Sequence, residues 1–343
     1  ARQRQEGARH AYAEPLPGTA YERVLRTQVV EATEGDGKAT VMAPVTDRGD
    51  AIGVLELELT ELPDDELVTD VVAAARTLAY VVVACRRHTD LFEWAQRTQP
   101  FTLAAEIQRR LLPAAFTCET AQVTVSGWLE PANAVGGDTF DYALDRDTLH
   151  VSITDAVGHD VTAAVLATVL VGSLRNARRH GADLLTQAAR ANDALAAHAT
   201  VGQFVTGQLM RVDRRSATAT LVNAGHPFPL RLRAGRVEEI ELDIDLPFGL
   251  EAGRAFRPQR IPLLAGDRIL LITDGMVENT EELDVADLLL RTADLHSRQV
   301  VHLLGDEILR TTGNDLRDDA TAVCIDWHGG TADGRADDDP ASS

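Results

Sequence analysis

Four stretches of the chain bring an aspartate to the edge of an apolar run or a glycine pair. "AVGGDTFDY" carries Asp138 and Asp141, "SITDAVGHD" carries Asp155, "LLITDGMVE" carries Asp274, and "LRDDATAVCI" carries Asp318 and Asp319. An ionised acid at the end of a buried strand is costly unless something positive neutralises it. "ITDA" and "ITDG" share one form, an apolar strand, a Thr, an Asp and then a small residue that lets backbone come close. Clustered carboxylates without a Cys or His cage suit hard cations, Mg2+ or Mn2+ before zinc or copper. If the four stretches converge, two ions about 4 Å apart offset the charge better than one. They acidify a bound water and neutralise a phosphate ester, which points to phosphoester hydrolysis without a covalent enzyme intermediate.

A single Asp beside Gly is ordinarily a turn former or a helix cap, and Asp160 and Asp284 are read that way. Asp138, Asp155, Asp274 and Asp318 are read together as ligands, because two buried "I-T-D-small" ends would otherwise leave unpaired charge. Asp319 and Asp141 stay open between a further ligand and a supporting role. His159 and His226 invite assignment as a general acid, but a Gly-flanked His at a turn more often satisfies a backbone carbonyl. Arg109 and Arg110 have the chemistry to bind phosphate. On an exposed helix face, solvation or pairing with acids is the simpler expectation.

The elements that must position these residues come in blocks. Ala39 to Thr60 reads as two strands joined at Asp47 to Asp50, followed by a helix start at Pro63 to Glu66. Leu67, Val71, Ala74, Leu78, Val81 and Cys85 then form a narrow apolar seam, which fits packing onto that sheet or dimerisation through the 67–112 helices. "TLAAEIQRRLLP" reads as a short helix from Thr102 to its stop at Pro113, with Leu103, Ile107 and Leu111 on one face. Beyond it, "QVTVSGW", "TLHVSIT", "QFVTGQLMRVD", "SATATLVNAG", "FPLRLR", "DRILLITDG" and "ATAVCIDW" are strand-like. Helical stretches run from Val161 to His180, Ala182 to His198, Asp284 to Leu295 and Ser297 to Thr311. Blocks without strict alternation predict antiparallel sheets covered by helices. The polar stretch from His328 is too hydrophilic to bury.

Composition narrows the partners. The 343 residues are 45% hydrophobic, with 33 basic and 53 acidic side chains and a formal charge of −20, a field that repels nucleic acid and anionic lipid. Three widely spaced cysteines, Cys85, Cys118 and Cys324, support neither a disulfide framework nor a thiolate zinc site. The run from Val71 to Cys85 is broken by Arg76 and falls short of the roughly 20 residues that span a bilayer. The expectation is a cytoplasmic protein with no membrane partner.

In order, "EIQRRLLP", "GGDTFDY", "HVSITDAVGHDVTAA", "FVTGQL", "LVNAGHPFPLRLR", "PFGL", "GDRILLITDGMVE" and "LRDDATAV" resemble the bacterial metal-dependent protein serine/threonine phosphatases of the PPM superfamily, in the SpoIIE-like branch. The resemblance covers roughly Thr102 to Trp327. It implies an α+β fold, an α-β-β-α sandwich of two antiparallel sheets flanked by helices. It also implies two Mn2+ or Mg2+ ions, with Asp155 bridging them and Ala156 offering its carbonyl. Asp138 would ligate one ion, Asp274 and Asp318 the other, and Asp319 is a further candidate. The family usually has Gly where Ala156 stands, and often Gly where Asp160 stands. "MAPVTDRGDAIGVLELEL" resembles the later part of a GAF-type sensor.

These readings give a flexible segment over 1–20, a partial GAF-like sensor domain over 21–97 ending in a long helix, a linker helix over 98–113, a phosphatase domain over 114–327 and a disordered tail over 328–343. The resemblance implies hydrolysis of phosphoserine or phosphothreonine on a regulatory protein such as an anti-sigma-factor antagonist. The competing expectation is a catalytically weak or inactive phosphatase fold that binds a signalling partner. A nucleotidyl cyclase would need a Gly-rich phosphate loop and basic residues for triphosphate, which the sequence lacks.

Overall fold

The computed structural model describes residues 16, 18–35, 37–92, 102–132, 136–158, 161–278, 283–313 and 315–330. The chain divides into two compact units, Ala1–Pro100 and Phe101–Ser343. His159, Asp160, most of the 1–20 segment and residues 331–343 of the tail lie outside the described residues.

In the first unit, α1 (Ala20–Thr27) leads into β1 (Glu31–Gly35), β2 (Lys38–Asp47) and β3 (Asp50–Leu59), an antiparallel sheet in the order β1-β2-β3. Helix α2 (Asp65–Cys85) begins where the acids suggested, with Asp64 accepting from the Leu67 amide at 2.8 Å. Its buried face is Val71, Ala75 and Ala79 against Val41, Ala43 and Val45, not the expected seam. Small residues at steps of four let the helix sit close to the sheet, and Leu78 and Val81 are left 36% and 49% exposed. Among the described residues, α2 alone is long and apolar enough to cross a membrane by length and composition. At 21 residues it exceeds the shorter apolar run read from the sequence, and one of its faces packs on the sheet.

The second unit is the expected sandwich. Its elements are α3 (Leu103–Leu111), β4 (Thr117–Glu119), β5 (Val123–Glu130), β6 (Thr139–Leu144), β7 (Thr148–Ala156), α4 (Val161–Arg179), α5 (Leu184–Ala196), β8 (Val205–Asp213) and β9 (Thr218–Ala224). There follow β10 (Leu230–Arg233), β11 (Arg236–Glu239), β12 (Gln259–Pro262), β13 (Asp267–Ile272), α6 (Gly275–Glu278), α7 (Val285–Arg291), α8 (Ser297–Thr312) and β14 (Ala320–Trp327). One sheet has the order β11-β10-β13-β14-β5-β4 and the other β12-β9-β8-β7-β6. Every strand pair in them is antiparallel.

Alternation along β7 explains the layering. Leu149, Val151 and Ile153 point into the core between the sheets with Val125, Met210, Leu271 and Val323, and His150, Ser152 and Thr154 take the opposite face. Each fully buried aliphatic side chain contributes roughly 1.5–3 kcal/mol. Helices α4 and α5 cover the five-stranded sheet through Leu170, Leu174 and Leu195, and α7 and α8 cover the other through Leu289, Leu304 and Ile308.

Helix α3 turns Ile107 and Leu111 of the expected face inward, but not Leu103. Leu103 is 68% exposed, whereas Ala104 packs on Ala164 of α4 and Gln108 is buried. The stretch from His328 also begins tied down: the His328 ring stands 2.8 Å from the Thr124 hydroxyl, and Gln122 donates to the Gly330 carbonyl at 2.9 Å.

Candidate metal centre

Strand register carries the acids to one end of both sheets. Thr139 pairs with Thr154 across β6 and β7, so Asp138 and Asp155 lie at neighbouring strand ends. Ile272 pairs with Ala322 across β13 and β14, which sets Asp274 beside the residues that open β14, with Asp318 and Asp319 just before them. The sheets are tied at this point through hydroxyls. Thr273 and Thr321 both donate to Asp138 Oδ2, at 2.8 and 2.6 Å, and the Thr321 amide donates to the Thr273 hydroxyl at 3.0 Å.

Asp319 is held from two sides. Its Oδ1 accepts from the Ala132 amide at 2.8 Å and its Oδ2 from Gln108 Nε2 at 2.9 Å, and Gln108 also donates to the Asp138 carbonyl at 2.8 Å. The Asp319 amide donates to Asp318 Oδ1 at 2.8 Å. The pair Gly136-Gly137 threads this cluster with no room for side chains. A Cβ at Gly136 would lie 1.6 Å from Asp319 Oδ2, and one at Gly137 would lie 2.0 Å from the Ala156 carbonyl oxygen.

The electrostatics single out Asp155. Burial and then repulsion from Asp274, Asp318 and Asp319 push its carboxyl up to about 7, offset in part by a hydrogen bond with Asp138. It feels all four other acids. Burial, then Asp155 and Asp319, hold the Asp138 carboxyl well above the usual range, and the two threonine hydroxyls only partly offset this. Burial likewise raises Asp319. Glu130, at the end of β5, is raised by burial and by Asp319.

The other deeply buried acids differ in one respect. Asp141 is paired with Arg175 at 2.8 Å and Arg178 at 3.2 Å, Asp267 with Arg233 at 2.5 Å, and Asp245 with Arg257 at 2.9 Å. Among the described residues, no arginine, lysine or histidine figures among the groups acting on Asp138 or Asp155. Hydrogen bonds to a charged group contribute about 1.5–3 kcal/mol each, whereas an ion taken from water costs several kcal/mol even after relaxation. Two threonines cannot balance that. The centre needs protons or external cations.

The expected residues therefore separate cleanly. Asp138, Asp155, Asp274, Asp318 and Asp319 come together with the Ala156 backbone, and Asp141 is an ion-pair anchor between β6 and α4. As arranged, no group of three or more His, Cys, Asp or Glu side chains among the described residues closes to the spacing of a bound ion. His226 is buried and held neutral, its ring pushed down to about 3 by burial, with Nδ1 3.0 Å from the Thr206 hydroxyl. Asn223 clamps the backbone of that turn at 2.8 and 2.9 Å. Asp284 caps α7 by accepting from the Asp287 amide at 2.9 Å, and Arg110 pairs with Glu106 on its own helix at 3.2 Å. Sequence reasoning missed Gln108, Glu130, Thr273 and Thr321. Glu130 was accessible, since it ends a strand as the other acids do.

Residues 145–328, more than half of the chain, match the family model of Stage II sporulation protein E (SpoIIE). The chain belongs to the SpoIIE family. This SpoIIE-family chain is 21% identical over 234 residues to phosphoserine phosphatase RsbU of Bacillus subtilis (strain 168), covering 65% of this chain and 68% of the relative. It is 23% identical to phosphoserine phosphatase RsbP of the same organism but spans only 47% of that protein's length. Among solved structures, its fold is similar to the SiaA-PP2C domain of Pseudomonas aeruginosa, with a TM-score of 0.56 and 20% identity over 65% of this chain and 94% of that one. It is also similar to RsbX in complex with magnesium, with a TM-score of 0.50 and 15% identity over 62% and 98% of the two chains.

Proposed function

We propose that the chain is a Mn2+- or Mg2+-dependent protein phosphatase that hydrolyses phosphoserine or phosphothreonine on a regulatory protein, an anti-sigma-factor antagonist. The observation that carries this reading is the meeting of five acids, two of them deeply buried, where among the described residues no basic side chain figures among the groups acting on Asp138, Asp155 or Asp319. Asp138, Asp155, Asp274 and Asp318, the Ala156 carbonyl and Asp319 would hold two cations. The donors fit hard cations, since all are oxygens and the Gly137 backbone lies where a Cβ would fill the space against the Ala156 carbonyl. When bound, such ions supply an acidified water and neutralise phosphate oxygens.

The chain's own groups do the positioning. Thr273 and Thr321 fix one oxygen of Asp138, while the Ala132 amide and Gln108 fix both oxygens of Asp319. Water adds to phosphorus, the bond to the serine oxygen breaks, and that oxygen leaves with a proton. The neutral, buried His226 serves the turn that carries it and takes no part in this transfer.

The proposal extends to organisation. Residues 114–327 form the phosphatase domain, 98–113 the linker helix and 21–97 a sensor-like domain of a cytoplasmic protein. Activity is governed through the helices of 67–112, whose exposed seam pairs two copies. The names of RsbU and RsbP support the substrate class, and the magnesium in RsbX supports the cofactor.

The test is phosphate release, with Mn2+, from an aryl phosphate and from a phosphoserine-bearing antagonist protein. Release by the wild type and its loss in Asp155→Asn and Asp274→Asn is the expected result. Equal rates in all three proteins would leave the competing reading, a phosphatase fold that binds a partner without turnover.

A further inference from the structure

A cavity of about 260 Å3 lies in the first unit and takes no part in the chemistry above. It opens where the sheet is incomplete. Strand β1 pairs with β2 only from Lys38 to Met42, so from Ala43 onward β2 keeps a single neighbour, β3, among the described residues. Pro44 lies in that uncovered stretch, where the lack of an N–H leaves no ladder bond unmade. Val30, Ala43, Pro44 and Val72 give the cavity an apolar lining.

Its polar groups are not equivalent. The Thr46 hydroxyl donates to Gln28 Oε1, and Gln28 Nε2 donates to the Leu25 carbonyl at 2.7 Å, so this pair is committed to holding the wall. Arg76, an exposed residue one turn beyond Val72 on α2, also lines the cavity. Among the described residues it has no carboxylate partner, in a chain where acids outnumber bases 53 to 33. An unpaired guanidinium beside an apolar hollow matches an amphipathic anion.

We propose that this cavity binds a small organic monocarboxylate, its carboxylate on Arg76 and its apolar body against Val30, Ala43, Pro44 and Val72. Binding does not depend on the phosphatase reading, so the two succeed or fail separately. The test is calorimetric titration of the full chain, without added divalent cation, using benzoate and indole-3-acetate. Benzamide serves as a neutral isostere and inorganic phosphate as a bare anion.

Saturable binding of a carboxylate with a dissociation constant of roughly 0.1–1 mM is expected. Benzamide and the Arg76→Gln variant should each weaken it about tenfold or more. Val72→Phe, which fills the hollow and leaves the charge in place, should also abolish it. No saturable binding of either carboxylate, equal binding by Arg76→Gln, or inorganic phosphate binding as tightly as benzoate would overturn the proposal.

Discussion

Gln108 spends both hydrogens of one amide nitrogen on the acid centre, donating to the Asp138 carbonyl at 2.8 Å and to Asp319 Oδ2 at 2.9 Å. The residue sits on α3, the helix that opens the second unit, so the orientation of that helix and the placement of two acids are a single geometric fact. Gln108→Leu keeps the volume and removes the donor. Loss of a group that orients metal ligands costs about 10–100-fold in metal affinity or activity. The Mn2+ concentration for half-maximal phosphate release should rise by that factor, and an unchanged activation curve would deny Gln108 this role.

Gly136 and Gly137 are required by close approach. Gly136→Ala and Gly137→Ala drive a methyl into the Asp319 carboxylate and the Ala156 carbonyl respectively. Overpacking of this kind costs about 1–3 kcal/mol or more, and phosphate release should fall with it. Gly172 is the control: it is exposed in the middle of α4 with nothing within 4 Å of a built Cβ. Gly172→Ala should stabilise by up to about 1 kcal/mol through helix propensity. Urea midpoints for the three variants check both signs.

His150 predicts a pH dependence of stability. Its ring is pushed down to about 4 by burial and by the charges of Arg178 and Arg211, with Asp145 opposing. The folded chain therefore keeps it neutral while the unfolded chain takes up a proton near the ordinary value of about 6.5. Stability from this residue is present above that value and is lost as pH falls toward 4, by about 2–3 kcal/mol at pH 4.5. Urea unfolding at pH 7 and 4.5 should show a smaller loss in His150→Gln than in the wild type. Equal losses would remove His150 as the cause.

The exposed seam on α2 makes a claim about assembly. Val71, Ala75 and Ala79 are used on the sheet, which leaves Leu67, Leu78 and Val81 facing outward. Light scattering should give a dimer mass for the full chain and a monomer mass for a Leu78→Lys, Val81→Lys double variant. Two monomeric masses would end the dimer proposal.

What could be read from the sequence follows from range. The long strands, the helices of the sandwich and the convergence of Asp138, Asp155, Asp274 and Asp318 rest on patterns repeated over many residues. Strands β1, β4, β11 and β12, of three to five residues, carry too little periodicity to register. On α3 the apolar spacing finds Ile107 and Leu111, which pack on the core, but also favours Leu103, whereas the fold buries Ala104 for close packing and Gln108 for its amide. Asp141 was ambiguous in sequence because its arginines lie 34 and 37 positions away on α4.

The central claim is that these acids are held together by external cations, and calorimetric titration of Mn2+ tests it most directly. The wild type should bind two ions. Asp155→Asn, which alters the acid that feels the charge or hydrogen bond of each of the others, should bind neither with comparable affinity, and Asp141→Asn, whose partners are arginines, should keep both. No Mn2+ binding by the wild type, or binding by Asp155→Asn indistinguishable from it, would contradict the account.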